Sequence, residues 1–226
     1  MLLYAITSRV LLAQTEAERA EKLLALAACW AANGVDFIQI REKDLADAEL
    51  LGLASSVVRA AHATGSRTTV LINAPPDAAA AIALESGADG VHLPGSLHPG
   101  QLFDTVIRIQ ELWRIGRNST TTPPISVSCH SVADVQAARA AGVTLALFGP
   151  VFEKALPGSP SLAGLGLESL AEACRVARQD GPQPELPILA LGGVTGENSS
   201  PCVSAGASGI ASIRLFLNTN REPGWR

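Results

Sequence analysis

The amino-acid sequence predicts a single α/β domain with the (β/α)8 barrel (TIM barrel) fold. Eight short apolar segments alternate with longer segments rich in Ala, Leu, Glu and Arg, and this alternation is typical of strands and helices wound around a parallel sheet. The 226 residues are enough for one such barrel. We therefore expect residues 1–226 to form one domain.

The eight apolar segments are predicted to be parallel strands that are buried on both faces, because most of them are continuously apolar rather than alternating. They comprise residues 2–6, 37–40, 69–72, 90–93, 125–128, 145–148, 188–191 and 209–213. An open, doubly wound sheet is the alternative architecture. It is disfavoured because no GxGxxG motif follows the first strand.

The segments between the strands have the periodic apolar stripe of helices that pack on a sheet. Helices are predicted at residues 16–32, 47–63, 77–86, 133–141 and 167–179. Gly34, Gly87, Gly142 and Gly206 each follow a small residue or asparagine at a predicted turn into a strand, where glycine can end a helix in the left-handed conformation. The polar tail 218–226 is a poor final helix, and a homodimer that covers this side of the barrel is an expectation.

Composition and charge exclude several classes of protein. Hydrophobic residues make up 47% of the chain, but no uninterrupted apolar stretch is long enough for a membrane span. A net charge of -4 and the lack of a Lys/Arg cluster argue against a nucleic-acid partner. The four cysteines are scattered without metal-like spacing, and no secretory signal pattern begins the chain, so we expect a cytoplasmic location.

Polar side chains follow the predicted strands, at the end where the active sites of (β/α)8 barrels lie. The candidates for substrate binding are Gln39, Arg41, Lys43, Asn73, Ser128 and Lys154. Strand alternation places the first three of them on one side of an extended segment, and such a set suits a diphosphate or a carboxylate. The alternative is an ion pair between Arg41 and Glu42 or another carboxylate.

Two further features of this end predict proton transfer and phosphate binding. His130 follows the fifth strand and is the best candidate for an acid or base, since imidazole titrates near neutral pH, whereas His92 is expected to pack inside the barrel. Gly192 and Gly193 end the seventh strand, where their backbone N–H groups could bind a phosphate that Arg214 also reaches. The alternatives are a loop or helix-cap histidine and an ordinary tight turn.

The long polar segment 153–166 after the sixth strand is predicted to be a lid over the site, with a disordered insertion as the alternative. Few carboxylates stand at the predicted strand ends, and Mg²⁺ prefers carboxylate ligands. No metal site is therefore expected.

Six motifs in order along the chain resemble the family that contains thiamine phosphate synthase and the thiazole tautomerase TenI. They are DFIQIREK at residues 36–43, LIN at 71–73, GADGVHL at 87–93, SVSCHS at 126–131, FGPVF at 148–152 and LALGGVT at 189–195. The resemblance implies a (β/α)8 barrel enzyme of thiamine biosynthesis. It also implies a small phosphorylated heterocycle as the substrate.

Three departures distinguish this chain from the synthase pattern. Ala74-Pro75 follow Asn73 where the family has Asp-Arg, the segment 94–96 reads Pro-Gly-Ser in place of Gln-Glu-Asp with its metal-binding Asp, and the segment from 153 replaces Thr-x-Thr-Lys. Arg214 also stands where the family usually has Ser. The resemblance therefore implies Mg²⁺ only if the chain is a synthase.

These departures favour a metal-independent thiazole tautomerase, in which His130 moves the protons that make thiazole carboxylate phosphate aromatic and Arg41 faces the substrate carboxylate. Thiamine phosphate synthase, which joins hydroxymethylpyrimidine diphosphate to thiazole phosphate, is the first alternative. The second alternative is a non-catalytic protein that binds thiazole or thiamine phosphates and regulates another process.

Overall fold

The computed structural model describes residues 1–153, 163–179 and 184–217. Eight parallel strands in chain order close into a barrel, which confirms the predicted fold. They are β1 Leu2–Ile6, β2 Phe37–Ile40, β3 Thr69–Ile72, β4 Gly90–Leu93, β5 Ile125–Cys129, β6 Leu145–Phe148, β7 Ile188–Leu191 and β8 Gly209–Ser212. β8 pairs with β1 from Leu2 opposite Gly209 to Ala5 opposite Ser212. The predicted bounds differ only at the carboxyl ends of β5 and β8.

Helices surround the barrel in the described part of the chain. They are α1 Glu16–Ala32, α2 Asp47–His62, α3 Pro76–Ser86, α4 Pro99–Gly116, α5 Val132–Ala141, α6 Gly166–Ala177 and α7 Ser199–Ser204, with 3-10 turns at Arg9–Leu11 and Arg214–Phe216. The five helices whose ranges were predicted are present within a few residues. α7 ends just before Gly206, where a helix end was predicted, whereas α4 was not predicted. No helix of the described residues is both long and apolar enough to cross a bilayer.

Strand alternation divides the apolar side chains into two clusters. The larger cluster lies between the strands and the helices, and it includes the buried Trp30, whose Nε1 donates a hydrogen bond to the Phe216 carbonyl at 2.8 Å. The smaller cluster fills the interior of the barrel and includes Tyr4, Ile6 and Leu71. The interior is therefore solid, and a ligand has room only beyond the strand ends.

The interior also contains a chain of hydrogen-bonded polar side chains, which we call the interior polar chain: Tyr4, Ser126, His92 and Ser128. The Tyr4 hydroxyl lies 3.0 Å from Ser126 Oγ, and that oxygen lies 2.8 Å from His92 Nδ1. His92 Nε2 lies 3.0 Å from Ser128 Oγ, near the carboxyl end of β5. His92 is buried inside the barrel, as predicted.

A buried arginine joins two loops at the carboxyl end of the barrel. Arg9 is 3% exposed, and its Nη1 lies 3.2 Å from Glu42 Oε2 and 2.7 Å from Asp44 Oδ1. The backbone N–H of Arg9 donates to both Glu42 oxygens at 3.1 Å, and its Nε lies 2.5 Å from Glu16 Oε1. These contacts tie the segment after β1 to the start of α1 and to the segment after β2.

Replacing Arg9 is expected to destabilise the fold. In the variant Arg9→Met, the Glu42 carboxylate, whose side chain is 2% exposed, loses its buried cation. We expect a loss of about 3 kcal/mol in the free energy of unfolding, as is typical when one partner of a buried ion pair is removed. Urea unfolding at neutral pH measures it. The matched control is Arg108→Met, which breaks an exposed pair with Asp77 and should cost less than about 1 kcal/mol; equal losses in the two variants would contradict the assignment.

His92 is expected to make folding stability depend on pH. Burial and the nearby positive charge of Arg41 lower the pKa of His92 to about 3, whereas an unfolded histidine has a pKa of about 6.5. Between these values the unfolded chain binds a proton that the folded chain does not. Stability is therefore lost as the pH falls below about 6.5, by up to about 1.4 kcal/mol per pH unit from this group.

The variant His92→Gln should show a shallower loss of stability than the parent protein when urea unfolding is compared between about pH 6.5 and pH 4.5. The variant His98→Gln, in which the replaced side chain is exposed, is the control and should keep the parent slope. A parent slope retained in His92→Gln would show that the buried imidazole does not govern this pH dependence.

Candidate active site

The predicted site residues that the structure describes lie at the carboxyl ends of the strands. We call this end of the barrel the mouth. Register shows which way the strand residues face: Gln39 lies opposite Ile6 and Leu71, which belong to the interior cluster. Ser128 lies opposite Leu147 of the same cluster. Lys154 and most of the predicted lid 153–166 lie outside the described residues, so their placement stays a prediction.

Gln39 presents a buried acceptor without a partner. The residue is 1% exposed, and its Oε1 has no hydrogen bond within the described ranges. A buried carbonyl oxygen that lacks a donor costs about 1–3 kcal/mol. A ligand with an N–H or O–H group at this side of the mouth would remove that cost.

Arg41 is half-buried and carries no ion pair among residues 1–153, 163–179 and 184–217. Burial lowers the pKa of the Arg41 guanidinium, and the negative charge of Glu42 partly opposes this shift. The alternative of an Arg41–Glu42 ion pair is not what the structure shows, because Glu42 binds Arg9 instead. The Arg41 backbone N–H donates to Thr7 Oγ1 at 2.9 Å, which fixes the start of the segment that also carries the exposed Lys43.

Asn73 directly follows β3, Ser128 lies near the carboxyl end of β5, and both residues are half-buried. The Asn73 backbone N–H donates to the Ile40 carbonyl at 2.9 Å, which continues the pairing of β2 with β3 one residue beyond β3. The Ser128 hydroxyl is the outer end of the interior polar chain. Both side chains are thus positioned by the sheet itself rather than by a loop.

His130 is exposed and fixed by its neighbours. Its Nδ1 lies 2.5 Å from the Gly149 carbonyl oxygen, and its backbone N–H donates to Asp134 Oδ2 at 2.8 Å. A carbonyl can only accept, so Nδ1 carries the proton and Nε2 of the neutral ring keeps its lone pair. Gly95 packs against this ring, since a Cβ atom there would lie 2.9 Å from Nε2. The ring of His130 is therefore held in place at Nδ1, and its role as an acid or base stays a prediction.

Gly192 and Gly193 adopt φ angles of +91° and +66°, which disfavour other residues. A Cβ atom would lie 2.6 Å from Pro150 at the first position and 2.7 Å from Phe152 Cβ at the second. The close approach of the segment after β6 thus requires both glycines, whatever else they do. Phosphate binding by their N–H groups stays a prediction, as does the role of Arg214, which is exposed directly after β8.

Several residues that shape the mouth were not found by the sequence analysis. Tyr4 lies on β1, and Arg9 lies in the segment after it. Their partners are far away along the sequence, so no local pattern predicts these contacts. Asn198 closes the turn after β7, with its Nδ2 donating to the Gly193 carbonyl at 3.0 Å and its Oδ1 accepting from the Thr195 N–H at 2.7 Å. Ser126 was detectable, because it alternates with Ser128 and His130 along β5.

The described residues do not fit a Mg²⁺ ion. Among them, no group of three or more His, Cys, Asp or Glu side chains is placed to hold a metal. Two carboxylates near the mouth are also engaged: Asp44 binds Arg9, and Asp134 Oδ2 accepts a hydrogen bond from the His130 N–H. Magnesium sites in proteins need one or two free carboxylates besides substrate oxygens.

Comparisons with known proteins agree with the motifs. The family model of thiamine monophosphate synthase (TMP-TENI) matches residues 3–216. The "Putative thiamine-phosphate synthase 2" of Aquifex aeolicus is 33% identical over 95% of this chain and 97% of its own length, and a thiamine-phosphate synthase of Chlorobium luteolum is 33% identical over 80% of this chain and 73% of its own.

Among solved structures, a thiamine phosphate pyrophosphorylase from Pyrococcus furiosus superimposes with a TM-score of 0.68 at 21% identity, covering 97% of this chain and 88% of that one. At this identity the likeness supports the barrel fold alone. The family model extends from β1 to the turn after β8, and the Aquifex relative covers 95% of the chain. This chain therefore belongs to the thiamine monophosphate synthase/TenI family.

Proposed function

We propose that this chain is an enzyme of thiamine biosynthesis that binds a phosphorylated thiazole at the mouth, and that its reaction is the synthesis of thiamine phosphate. The relatives reported above are named for this reaction, and one of them is matched over nearly its whole length. They support the synthase, which the sequence analysis held as an alternative, better than the tautomerase that it favoured.

The observation that carries this proposal is a half-buried cation without an ion pair beside a buried acceptor without a donor. Arg41 and Gln39 stand two residues apart on β2 and its extension, both on the inward side by strand alternation. Arg41, with Lys43 after it, suits the diphosphate of the pyrimidine substrate. For the phosphate of the thiazole we propose the N–H groups of Gly192 and Gly193, with Arg214.

In the proposed reaction, the thiazole nitrogen attacks the methylene carbon of the pyrimidine diphosphate. The new C–N bond forms with the nitrogen lone pair, and the C–O bond to the diphosphate breaks and leaves its electrons on the departing oxygen. Arg41 and Lys43 stabilise this growing charge, and the two phosphate sites hold the reacting atoms together. No step is assigned to Mg²⁺, because the described carboxylates do not fit it.

Thiazole tautomerisation is the second candidate, and the geometry of His130 favours it. The hydrogen bond from Nδ1 to the Gly149 carbonyl leaves Nε2 free to take a proton from one ring position and return it to another. This reaction expels no charged group. It therefore needs neither a metal nor the compensation of a leaving diphosphate.

An assay with both substrates tests the first candidate. The parent protein should form thiamine phosphate from hydroxymethylpyrimidine diphosphate and thiazole phosphate, measured with Mg²⁺ and with a chelator. The variant Arg41→Met should lower kcat/KM by about 10- to 100-fold, since it removes hydrogen bonds to a charged group. Arg59→Met, which replaces an exposed arginine near the end of α2, is the matched control and should leave the rate unchanged.

Absence of thiamine phosphate under both metal conditions would reject the synthase. If thiazole phosphates bound without any turnover in this assay or in the tautomerase assay below, the non-catalytic alternative would be the correct one. Equal rates for Arg41→Met and the parent would remove Arg41 from the role proposed for it.

A second assay, with thiazole carboxylate phosphate alone, tests the tautomerase. His130→Ala should abolish aromatisation while substrate affinity stays nearly intact. Gly95→Ala should lower kcat by at least about 10-fold, because the added Cβ would lie 2.7 Å from the Ser128 carbonyl oxygen and 2.9 Å from His130 Nε2 and would displace the imidazole ring. Gly100→Ala is the control, since a Cβ atom there meets nothing within 4 Å.

Aromatisation that survives in His130→Ala would exclude His130 as the base. A parent protein that makes thiamine phosphate but leaves thiazole carboxylate phosphate unchanged would exclude the second candidate altogether.

A further inference from the structure

We infer that Tyr4, Ser126 and His92 act as positioning residues that make Ser128 a hydrogen-bond donor toward the ligand in the mouth. They do so by holding the neutral His92 ring in the tautomer that is protonated at Nε2. The step from Ser128 to a ligand rests on the proposed function. The tautomer itself does not.

The buried part of the interior polar chain has a limited number of partners. Tyr4, His92 and Ser126 are buried, and within the described residues their side chains form hydrogen bonds only to one another and to Ser128. Burial raises the pKa of the Tyr4 hydroxyl above its usual value, and His92 stays neutral for the reason given above. Each hydroxyl and the ring therefore has one proton to donate.

Protonation of His92 at Nε2 satisfies every donor. Tyr4 donates to Ser126 Oγ at 3.0 Å, and Ser126 donates to the lone pair of His92 Nδ1 at 2.8 Å. The Nε2–H group then donates to Ser128 Oγ at 3.0 Å. All three buried protons have an acceptor, and the proton of Ser128 remains available for the mouth.

Protonation at Nδ1 leaves one buried proton without an acceptor. Nδ1–H would donate to Ser126 Oγ, so that the Ser126 proton could go only to Tyr4 and the Tyr4 proton would have no acceptor. If Tyr4 donated to Ser126 instead, the Ser126 proton would be left over. A buried hydroxyl proton without an acceptor is strongly disfavoured. The interior polar chain therefore selects the form of His92 that is protonated at Nε2.

The tautomer of His92 decides whether the Ser128 proton is available to the ligand. With Nε2–H donating to its oxygen, the Ser128 hydroxyl keeps its proton for the ligand, so this tautomer favours an acceptor beside β5, such as a ring nitrogen, a carboxylate oxygen or a phosphate oxygen. In the opposite tautomer, Ser128 would donate to His92 and offer the ligand only lone pairs. Residues deep in the barrel thus set the polarity of one wall of the mouth.

Nitrogen-15 NMR of the free protein labelled at histidine tests the tautomer directly, because protonated and unprotonated ring nitrogens have distinct shifts. The His92 signals are assigned by their loss in His92→Gln. We expect Nε2 protonated and Nδ1 unprotonated in the parent. The variant Tyr4→Phe/Ser126→Ala removes the two hydroxyls near His92 Nδ1, Ser126 Oγ at 2.8 Å and the Tyr4 hydroxyl at 3.4 Å, so signals of the other tautomer should appear. A parent ring protonated at Nδ1 would overturn the inference, whether or not the double variant folds.

Calorimetry with thiazole phosphate tests the effect on binding. Ser128→Ala should weaken affinity by about 5-fold, the amount expected for one neutral hydrogen bond. Tyr4→Phe/Ser126→Ala should weaken it similarly, with little further loss when combined with Ser128→Ala, because both changes remove the same contact. Ser55→Ala, which removes a hydroxyl bonded within α2, is the control.

Additive losses in the combined variant would show that the deep residues do not act through Ser128. If thiazole phosphate failed to bind the parent protein, the proposed function would fall, while the NMR result would still decide the tautomer.

Discussion

The pairing of β1 with β8 closes the sheet, and the mouth exists only because of that closure. Strand contacts at the closure and elsewhere are so tight that some positions admit only glycine: a Cβ atom on Gly209 would lie 2.0 Å from the Leu2 carbonyl oxygen, and one on Gly149 would lie 2.1 Å from the Leu191 carbonyl oxygen. Closure turns residues from β2, β3, β5, β7 and β8 into neighbours around one axis. Because successive side chains of a strand point to opposite faces, only every second residue faces that axis.

The same alternation places the charges of Arg41 and Glu42 on opposite sides of the segment after β2. Residues 41–43 pass through the rim with Arg41 on the inner side and Glu42 on the outer side, where Arg9 binds it. Without Arg9, Glu42 would be the carboxylate closest in sequence to Arg41 and would compete for it. The buried ion pair thus leaves the Arg41 guanidinium available to an anion, so a contact outside the mouth determines the charge that the mouth presents.

The sequence predicted the barrel well because its strongest signals are local. Continuous apolar segments mark strands that are buried on both faces, and the φ angles of Gly87 and Gly142, +81° and +76°, confirm the predicted helix ends. The inward positions of Gln39, Arg41 and Ser128 follow from alternation once the strands are known. The contacts of Arg9 and those within the interior polar chain could not be predicted in this way, because the partners lie on different strands and only the register brings them together. The glycine pair shows a further limit, since packing against Pro150 and Phe152 is sufficient to require it.

The two candidate reactions differ in what the mouth must do with charge. Both begin with a thiazole phosphate, but condensation releases a diphosphate and tautomerisation releases nothing. A leaving diphosphate needs cations that face it as the bond breaks, and the described mouth offers Arg41 and Lys43. Among the described residues, no group of three or more His, Cys, Asp or Glu side chains is placed to hold a metal. Tautomerisation needs one oriented base, the role proposed for His130, whose Nδ1 is held by the Gly149 carbonyl. The release of diphosphate is therefore the property that separates the two chemistries, because only the condensation has a leaving group whose growing negative charge the mouth must stabilise.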